Sequence, residues 1–239
     1  MLIGAAMLKH PSSGKIFLVG KAGLAGRNEV ESMFPATYRN GARLLYATVD
    51  EAVNACTATQ GDVIYVLPGH TETITSGSIA LDVAGITVKH LGRGKGQAVY
   101  TYSATTSKIT VGAANITFEG GFHVPAAGIA VVTAFLVGAA TDFKLDGAHF
   151  EDASSTGAFT SILTTGSTTL EANGLTVVNN YHYGLATSPA AFISILGNTN
   201  RLEVANNFVG SAATNDIGHF ITIAALVLRG ARIYGNRLN

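Results

Sequence analysis

The sequence predicts an all-β fold, a parallel β-helix, and three observations carry that expectation. The stretch "NGLTVVNNYHYG" at 173–184 returns as "NRLEVANNFVG" at 200–210, with Leu175, Val177, Asn180 and Tyr181 repeated 27 positions on as Leu202, Val204, Asn207 and Phe208. A fixed offset is the mark of one structural unit copied. The chain also holds 28 glycines and only 13% charged residues, which favours tight turns and closely stacked backbones over a helical bundle with Glu and Lys on its outer faces. Its 239 residues, 47% of them hydrophobic, suffice for a sizeable core.

Taken in chain order, residues 1–43 show no repeat and contain "HPSSGK", "KAGLAG" and "FPATYRNG", with Arg27, Arg39 and Arg43. They read as an extended N-terminal arm that wraps a partner or interlocks with its copies, gaining buried area against the chain entropy lost on docking. Irregular strands that complete the first coil are the alternative. The β-helix domain is expected over 44–239. It opens with a capping helix at about 48–58: Thr48 with Glu51 makes a capping box, Ala52, Val53 and Cys56 form one apolar face, and Gly61 ends it. A strand with a Pro-Gly turn follows in "DVIYVLPG". Such a helix covers the open end of the core, where bare strand edges recruit other chains.

The repeat then runs through "ITVKH" (86–90), "ITFEGG" (116–121), "FKLDGA" (143–148), "LTVVNN" (175–180), "LEVANN" (202–207) and "ARIYGN" (231–236), six copies at roughly 27 to 32 residues. A second strand type lies between them, clearest in "FISI" (192–195) and "FITI" (220–223), with cruder versions in "SKITV", "TAFLVG" and "FTSIL". Leucine-rich repeats fit less well, because the leading leucine is missing and each unit carries a second β-run instead of a helix. Propeller blades need more residues and four strands. In a β-helix each coil lies about 4.8 Å above the last, so Asn180, Asn207 and Asn236 occupy one turn of three successive coils. There Asn tolerates left-handed backbone, and its amide bonds along the stack as a structural turn ladder.

The chemistry-bearing residues are few. Net charge is zero and Trp is absent, so no basic field draws in nucleic acid or an anionic membrane. One cysteine, Cys56, forms no internal disulfide and suits assembly in a reducing cytoplasm. The start "MLIGAAMLKHPSSGK" lacks the charge pattern of a signal sequence and the length of a membrane span. The seven histidines show no His-x-x-x-His spacing, so no metal or cofactor is predicted, and His70 after its Pro-Gly turn reads as a loop-bonding side chain. "GRGKG" at 92–96 lacks the phosphate-loop spacing. The single acidic cluster gathers Glu119, Asp142, Asp146, Glu151 and Asp152 near His123 and His149, where a general acid and base for glycoside hydrolysis would have to sit. Aromatic platforms for sugars look thin, with the tyrosines scattered.

The order of capping helix, "GDVIYVLPG" and coils with Asn turns resembles right-handed parallel β-helix proteins of the pectin-lyase-like superfamily. "TVDEAVNACTATQGDVIYVLPGHTETI" (48–74) is especially similar to a module of tailed-phage virion proteins. The likeness covers roughly residues 44–239. That superfamily includes polysaccharide-cleaving enzymes, yet their Asp-Asp pair with Gly-His-Gly and Arg-x-Lys, and their calcium-binding Asp set with a catalytic Arg, are missing here. The resemblance therefore implies a non-enzymatic virion protein made in the host bacterial cytoplasm: a capsid cement or decoration protein on the head surface. The alternative is a tail spike or fibre protein that binds or degrades host polysaccharide. In "AVVTAFLVGAA" and "FITIAALVL" both strand faces are apolar, which predicts self-association, with Phe135, Phe192 and Phe220 facing outward against sister subunits in a homotrimer. The major capsid protein is the second expected partner, reached through the arm arginines.

Overall fold

The computed structural model describes residues 14–33, 44–93, 96–166, 171–185, 191–211, 219–224 and 227–239. It shows a parallel β-helix. Each coil passes through three short strands, like strands stack into three long parallel sheets, and a fourth, two-stranded sheet pairs Thr199–Asn200 with Leu228–Arg229. Sheet 1 has nine strands, among them Val63–Val66, Thr87–His90, Thr117–Glu119, Lys144–Asp146, Thr176–Val178, Glu203–Ala205 and Arg232–Tyr234. The six copies of the apolar anchor are the last six of these.

Sheet 2 follows the Asn turn with seven strands, including Val99–Tyr102, Phe122–Pro125, His149–Glu151, Tyr181–Gly184 and Phe208–Ser211. Sheet 3 has six, the second strand type of the sequence: Ser76–Leu81, Lys108–Val111, Phe135–Val137, Ser161–Thr165, Ala191–Ile195 and Ile221–Ile223.

Unbroken register makes the core a set of columns. Ile64, Val88, Phe118, Leu145, Val177 and Val204 stack inward from sheet 1, all fully buried. Alternation sends the residues between them outward. In the last coil Ile223, Ile233 and Leu238 continue three inward columns and stand 46 to 58% exposed.

The N-terminal segment differs from a free arm. Ile16–Val19 is a fully buried strand inserted between Leu45–Tyr46 and Val63–Val66 in sheet 1, so residues 16–19 build the first coils. Asp62, buried, holds this junction: one carboxylate oxygen accepts the Lys15 N–H at 2.6 Å and the other the Thr57 N–H at 2.7 Å. Helix α1 spans Ala25–Met33, and helix α2, the cap, spans Val49–Ala55. The N-cap of α2 is closed as expected on one side, Thr48 Oγ1 accepting the Glu51 N–H, while Glu51 Oε2 reaches one residue past the N-cap to accept the Ala47 N–H. Its acids also serve the end of the solenoid. Asp50 accepts the Ala80 N–H at the edge of sheet 3, and Glu72 of sheet 2 accepts the Val49 N–H. Val49, Ala52 and Val53 plug the core.

Candidate functional site

Every coil bends on each side of its sheet 1 strand, and the polar side chains that distinguish this chain sit at those two corners. At the leaving corner the Asn-Asn doublet divides its labour. Asn179 and Asn206 take the left-handed backbone (φ 58° and 56°), as Gly120, Gly147 and Gly235 do in their own coils. The second residue of each doublet turns its amide inward. Asn207 Oδ1 accepts from the Asn180 N–H and side-chain amide at 2.9 and 3.0 Å, and Asn236 Oδ1 does the same for Asn207 at 3.0 Å. Each Nδ2 also donates to a sheet 1 carbonyl: Asn180 to Leu145, Asn207 to Val177, Asn236 to Val204. Left-handed geometry thus belongs to the preceding residue, and Asn180, Asn207 and Asn236 close orphaned backbone groups.

The entering corner carries a second left-handed column: Asn115, Asp142, Gly174, Arg201 and Gly230. Asn200 donates both its backbone and side-chain N–H to Asn173 Oδ1 at 2.9 Å. Arg201 reaches two coils back to Asp142 at 3.1 Å, over Gly174, where a Cβ would stand 2.1 Å from the Asp142 oxygen. Composition hides this column, because four residue types, Asn, Asp, Gly and Arg, share one backbone geometry.

The carboxylates of the acidic cluster are engaged, some within their own strand, as Asp146 with Lys144 and Glu151 with His149, and others across coils. Glu119 pairs with Lys89 at 2.8 Å, Asp146 with Lys144 at 2.6 Å and with Asn179 at 2.8 Å. Asp152 is buried, accepts from the Phe159 and Leu185 N–H groups at 2.9 Å, and lies 3.7 Å from His182. Among the described residues no three His, Cys, Asp or Glu side chains converge as a metal site requires. No described helix is long and apolar enough to cross a membrane.

Several histidines line the interior instead. His90 Nδ1 faces the Glu119 carbonyl at 2.7 Å and so carries the proton, which leaves Nε2 to accept from the Tyr100 hydroxyl at 2.6 Å. Burial pushes His90 down to about 4, against the help of that carbonyl bond, and holds His123 well below the usual imidazole range. His70 accepts the Lys21 N–H through Nδ1 and donates through Nε2 to Glu72 at 3.1 Å. Burial, aided by Asp62, raises the Cys56 thiol to about 12, so it is no nucleophile at neutral pH.

The three phenylalanines expected outside lie within. Phe135 and Phe192 are 0% and 1% exposed, and half-buried Phe220 stacks on Phe192 with centroids 5.6 Å apart and planes at 3°. The reason is local. Phe192 and Ile193 both send their N–H to the next coil, to His219 and Phe220 carbonyls, whereas an extended parallel strand alternates between its two neighbours. The bend turns both side chains inward, so Phe135 and Phe192 do not form the outward column expected, and Phe220 is half-buried against Phe192. Arg27 is likewise occupied, bonding Glu31 at 2.9 Å and the Gly20 carbonyl, while Arg39 and Arg43 lie outside the described residues.

Scattered aromatics become a column on the outside of sheet 2. Phe122, His149, Tyr181 and Phe208 stack at 4.9, 4.5 and 4.9 Å, with the Arg237 guanidinium 5.7 Å above Phe208 and Tyr183 exposed alongside. Their faces are occupied by one another, so the column presents edges to solvent. The signal in the sequence is the residue after each turn doublet. Compared with protein-family models, curated proteins and solved structures, the chain matches none.

Proposed function

We propose that this chain is a non-enzymatic structural protein of a bacteriophage virion, a homotrimeric cement protein on the capsid exterior that binds the major capsid protein through its N-terminal segment. One observation carries the reading: Glu119, Asp142, Asp152 and the corner asparagines are engaged in holding coil to coil. Asn ladders, the Asp142–Arg201 and Lys89–Glu119 ties and buried Asp152 all join neighbouring coils or loops. A stiff prism of this kind suits a load-bearing position on a shell under internal pressure. With Arg27 engaged within its own chain, contact with the shell falls to Arg39 and Arg43.

Exposed Tyr183 beside the outward aromatic column of sheet 2 favours a second reading, a tail protein that binds host glycans, since sugar CH groups pack on the face of an exposed ring and its hydroxyl can bond theirs. Imaging of purified virions separates the two. Hundreds of copies spread over the head are expected, whereas a handful confined to the tail would refute the cement reading. Glycan turnover by purified protein, lost in Asp142→Ala or Asp146→Ala, would refute the non-enzymatic one.

A further inference from the structure

The turn that leads into Thr71–Ile74, the first strand of sheet 2, holds a histidine whose protonation is fixed by its neighbours. His70 is buried, and its Nδ1 accepts the backbone N–H of Lys21 at 3.0 Å. A backbone N–H can only donate, so this nitrogen carries no proton. The ring proton sits on Nε2 and is given at 3.1 Å to Glu72 Oε2, the same oxygen that accepts the Val49 N–H of the cap. The ring is neutral in this arrangement, with both nitrogens taken. A second proton has one place to go, Nδ1, where it would meet the Lys21 N–H head-on.

What that bond fastens is the start of helix α1. Lys21 lies two residues past the buried strand Ile16–Val19 and four before Ala25–Met33. Other ties in this corner gather at the same end of the helix. Lys21 Nζ donates to Thr71 Oγ1 at 2.8 Å, Arg27 donates to the Gly20 and Tyr46 carbonyls, and Leu24 rests over Gly69, where a Cβ would stand 3.2 Å from it. Farther along, Asn28, Glu29, Glu31 and Ser32 stand exposed.

The charges facing His70 pull both ways. Glu72 favours an imidazolium, while the Lys21 ammonium and the Arg27 guanidinium, itself paired with Glu31, oppose one. From the next coil come His90 and Tyr100, bonded to each other, and from the cap Asp50 and Glu51, whose carboxylates accept the Ala80 and Ala47 N–H groups.

From this geometry we infer that His70 is a proton-operated latch on helix α1. Neutral, it holds Lys21 and the helix against the capped end of the solenoid. With a second proton on Nδ1 it keeps Glu72, drops the Lys21 N–H and frees the helix to swing on the residues after Val19, while the strands stay paired. The latch is a property of this corner, whatever the chain binds. The released form binds one proton more than the latched one, so its share grows up to ~tenfold per pH unit below the point where the free ring titrates, within the window of roughly pH 5 to 8 where imidazoles do so.

Amide exchange on the full chain, read as protection factors so that intrinsic rates cancel, tests this. Protection at Lys21 is expected to fall ~10-fold or more between pH 8 and pH 5.5. Acid also weakens the His90 coils, so a variant must separate the two effects. In His70→Asn the side-chain oxygen stands near the place of Nδ1, accepts the same N–H and takes up no proton in this range, and Lys21 should stay protected at both pH values. Native protection that ignores pH, or an equal loss in His70→Asn, overturns the latch. Nitrogen-15 spectra of the native ring add a measurement that needs no variant: the Nε2–H tautomer is expected at pH 8, and the second proton should appear as Lys21 protection is lost. A ring that gains this proton while Lys21 stays protected overturns the latch as well.

Discussion

The leaving corner of sheet 1 is built in two different ways along the same solenoid. In the early coils the polar groups are an imidazole and a borrowed amide: His90 bridges Glu119 and Tyr100, and Gln97 accepts the Gly121 N–H at 2.6 Å. In the late coils Asn180, Asn207 and Asn236 do the same task for the Ala148, Asn180 and Asn207 N–H groups. Gln97 and the asparagines close equivalent backbone donors, while His90 donates to a backbone carbonyl, so only the early solution includes a titratable side chain.

The late half breaks most severely by removing its middle rung. Asn207→Ala removes the acceptor of the Asn180 N–H and of one of the two Asn180 amide hydrogens, and a donor to the Val177 carbonyl, all in the interior. At ~1–3 kcal/mol for each unsatisfied buried group, the loss is expected to be about 4 kcal/mol in a denaturant titration. A loss below ~1 kcal/mol would mean that the ladder is ornamental.

Acid breaks the early half. His90 in the folded chain titrates at about 4, against an ordinary 6.5 in the unfolded one, because burial disfavours its cation. Between these values the unfolded chain binds the extra proton, so stability is intact above pH 6.5 and falls as pH drops toward 4. One group shifted this far contributes up to about 3 kcal/mol, and His123, lowered for the same reason, acts in the same direction. Hydrogen exchange at pH 5 against pH 7 should show protection lost first in the coils of His90 and His123. Equal loss around Asn180 and Asn207 would remove the contrast between the halves.

How much of this is legible in the sequence follows from the same corners. The anchors "LTVVNN" and "LEVANN" announce sheet 1 and the ladder, because inward apolar residues and a polar turn recur at a near-fixed spacing. Sheet 2 escapes notice as a separate sheet: in "YHYG" and "HFE" both faces are aromatic or polar, so no alternation marks Tyr181–Gly184 or His149–Glu151 as strands. Phe192 is misplaced by strict alternation, which fails at a bend where successive residues both turn inward. Ile16–Val19 is hidden by order, since it inserts beside Val63–Val66 across the capping helix. The acidic cluster is visible as composition, but its ties to Lys89 and Arg201 depend on stacking that only the register supplies.

The entering corner sharpens the comparison with smaller effects. Gly174→Ala places a Cβ 2.1 Å from Asp142 Oδ1 at a left-handed φ of 73°. The side chain can enter only by displacing the Asp142–Arg201 contact, and left-handed backbone costs a non-glycine ~1 kcal/mol, so a loss of about 1–2 kcal/mol is expected in the same titration. A neutral result would show that the corner relaxes where the buried Asn corner cannot.

Arg201→Gly should change least, for reasons that oppose one another. Arg201 holds a left-handed φ of 57°, at a rung where Gly174 and Gly230 stand in the adjacent coils, and glycine would relieve that strain by ~1 kcal/mol. Against this, glycine loses more backbone freedom on folding, by ~0.5–1 kcal/mol. The ion pair that disappears joins side chains 67% and 45% exposed, a setting in which such contacts contribute ~0–1 kcal/mol. The sum lies within about 1 kcal/mol of zero, and its salt dependence separates the parts. If the ion pair contributes, the variant is the less stable form at low ionic strength and the difference shrinks in 1 M salt, where exposed charges are screened beyond ~3 Å. A deficit that is large and indifferent to salt would assign Arg201 a packing role, and the outer surface of this corner would then hold the coils together as firmly as the buried amides opposite.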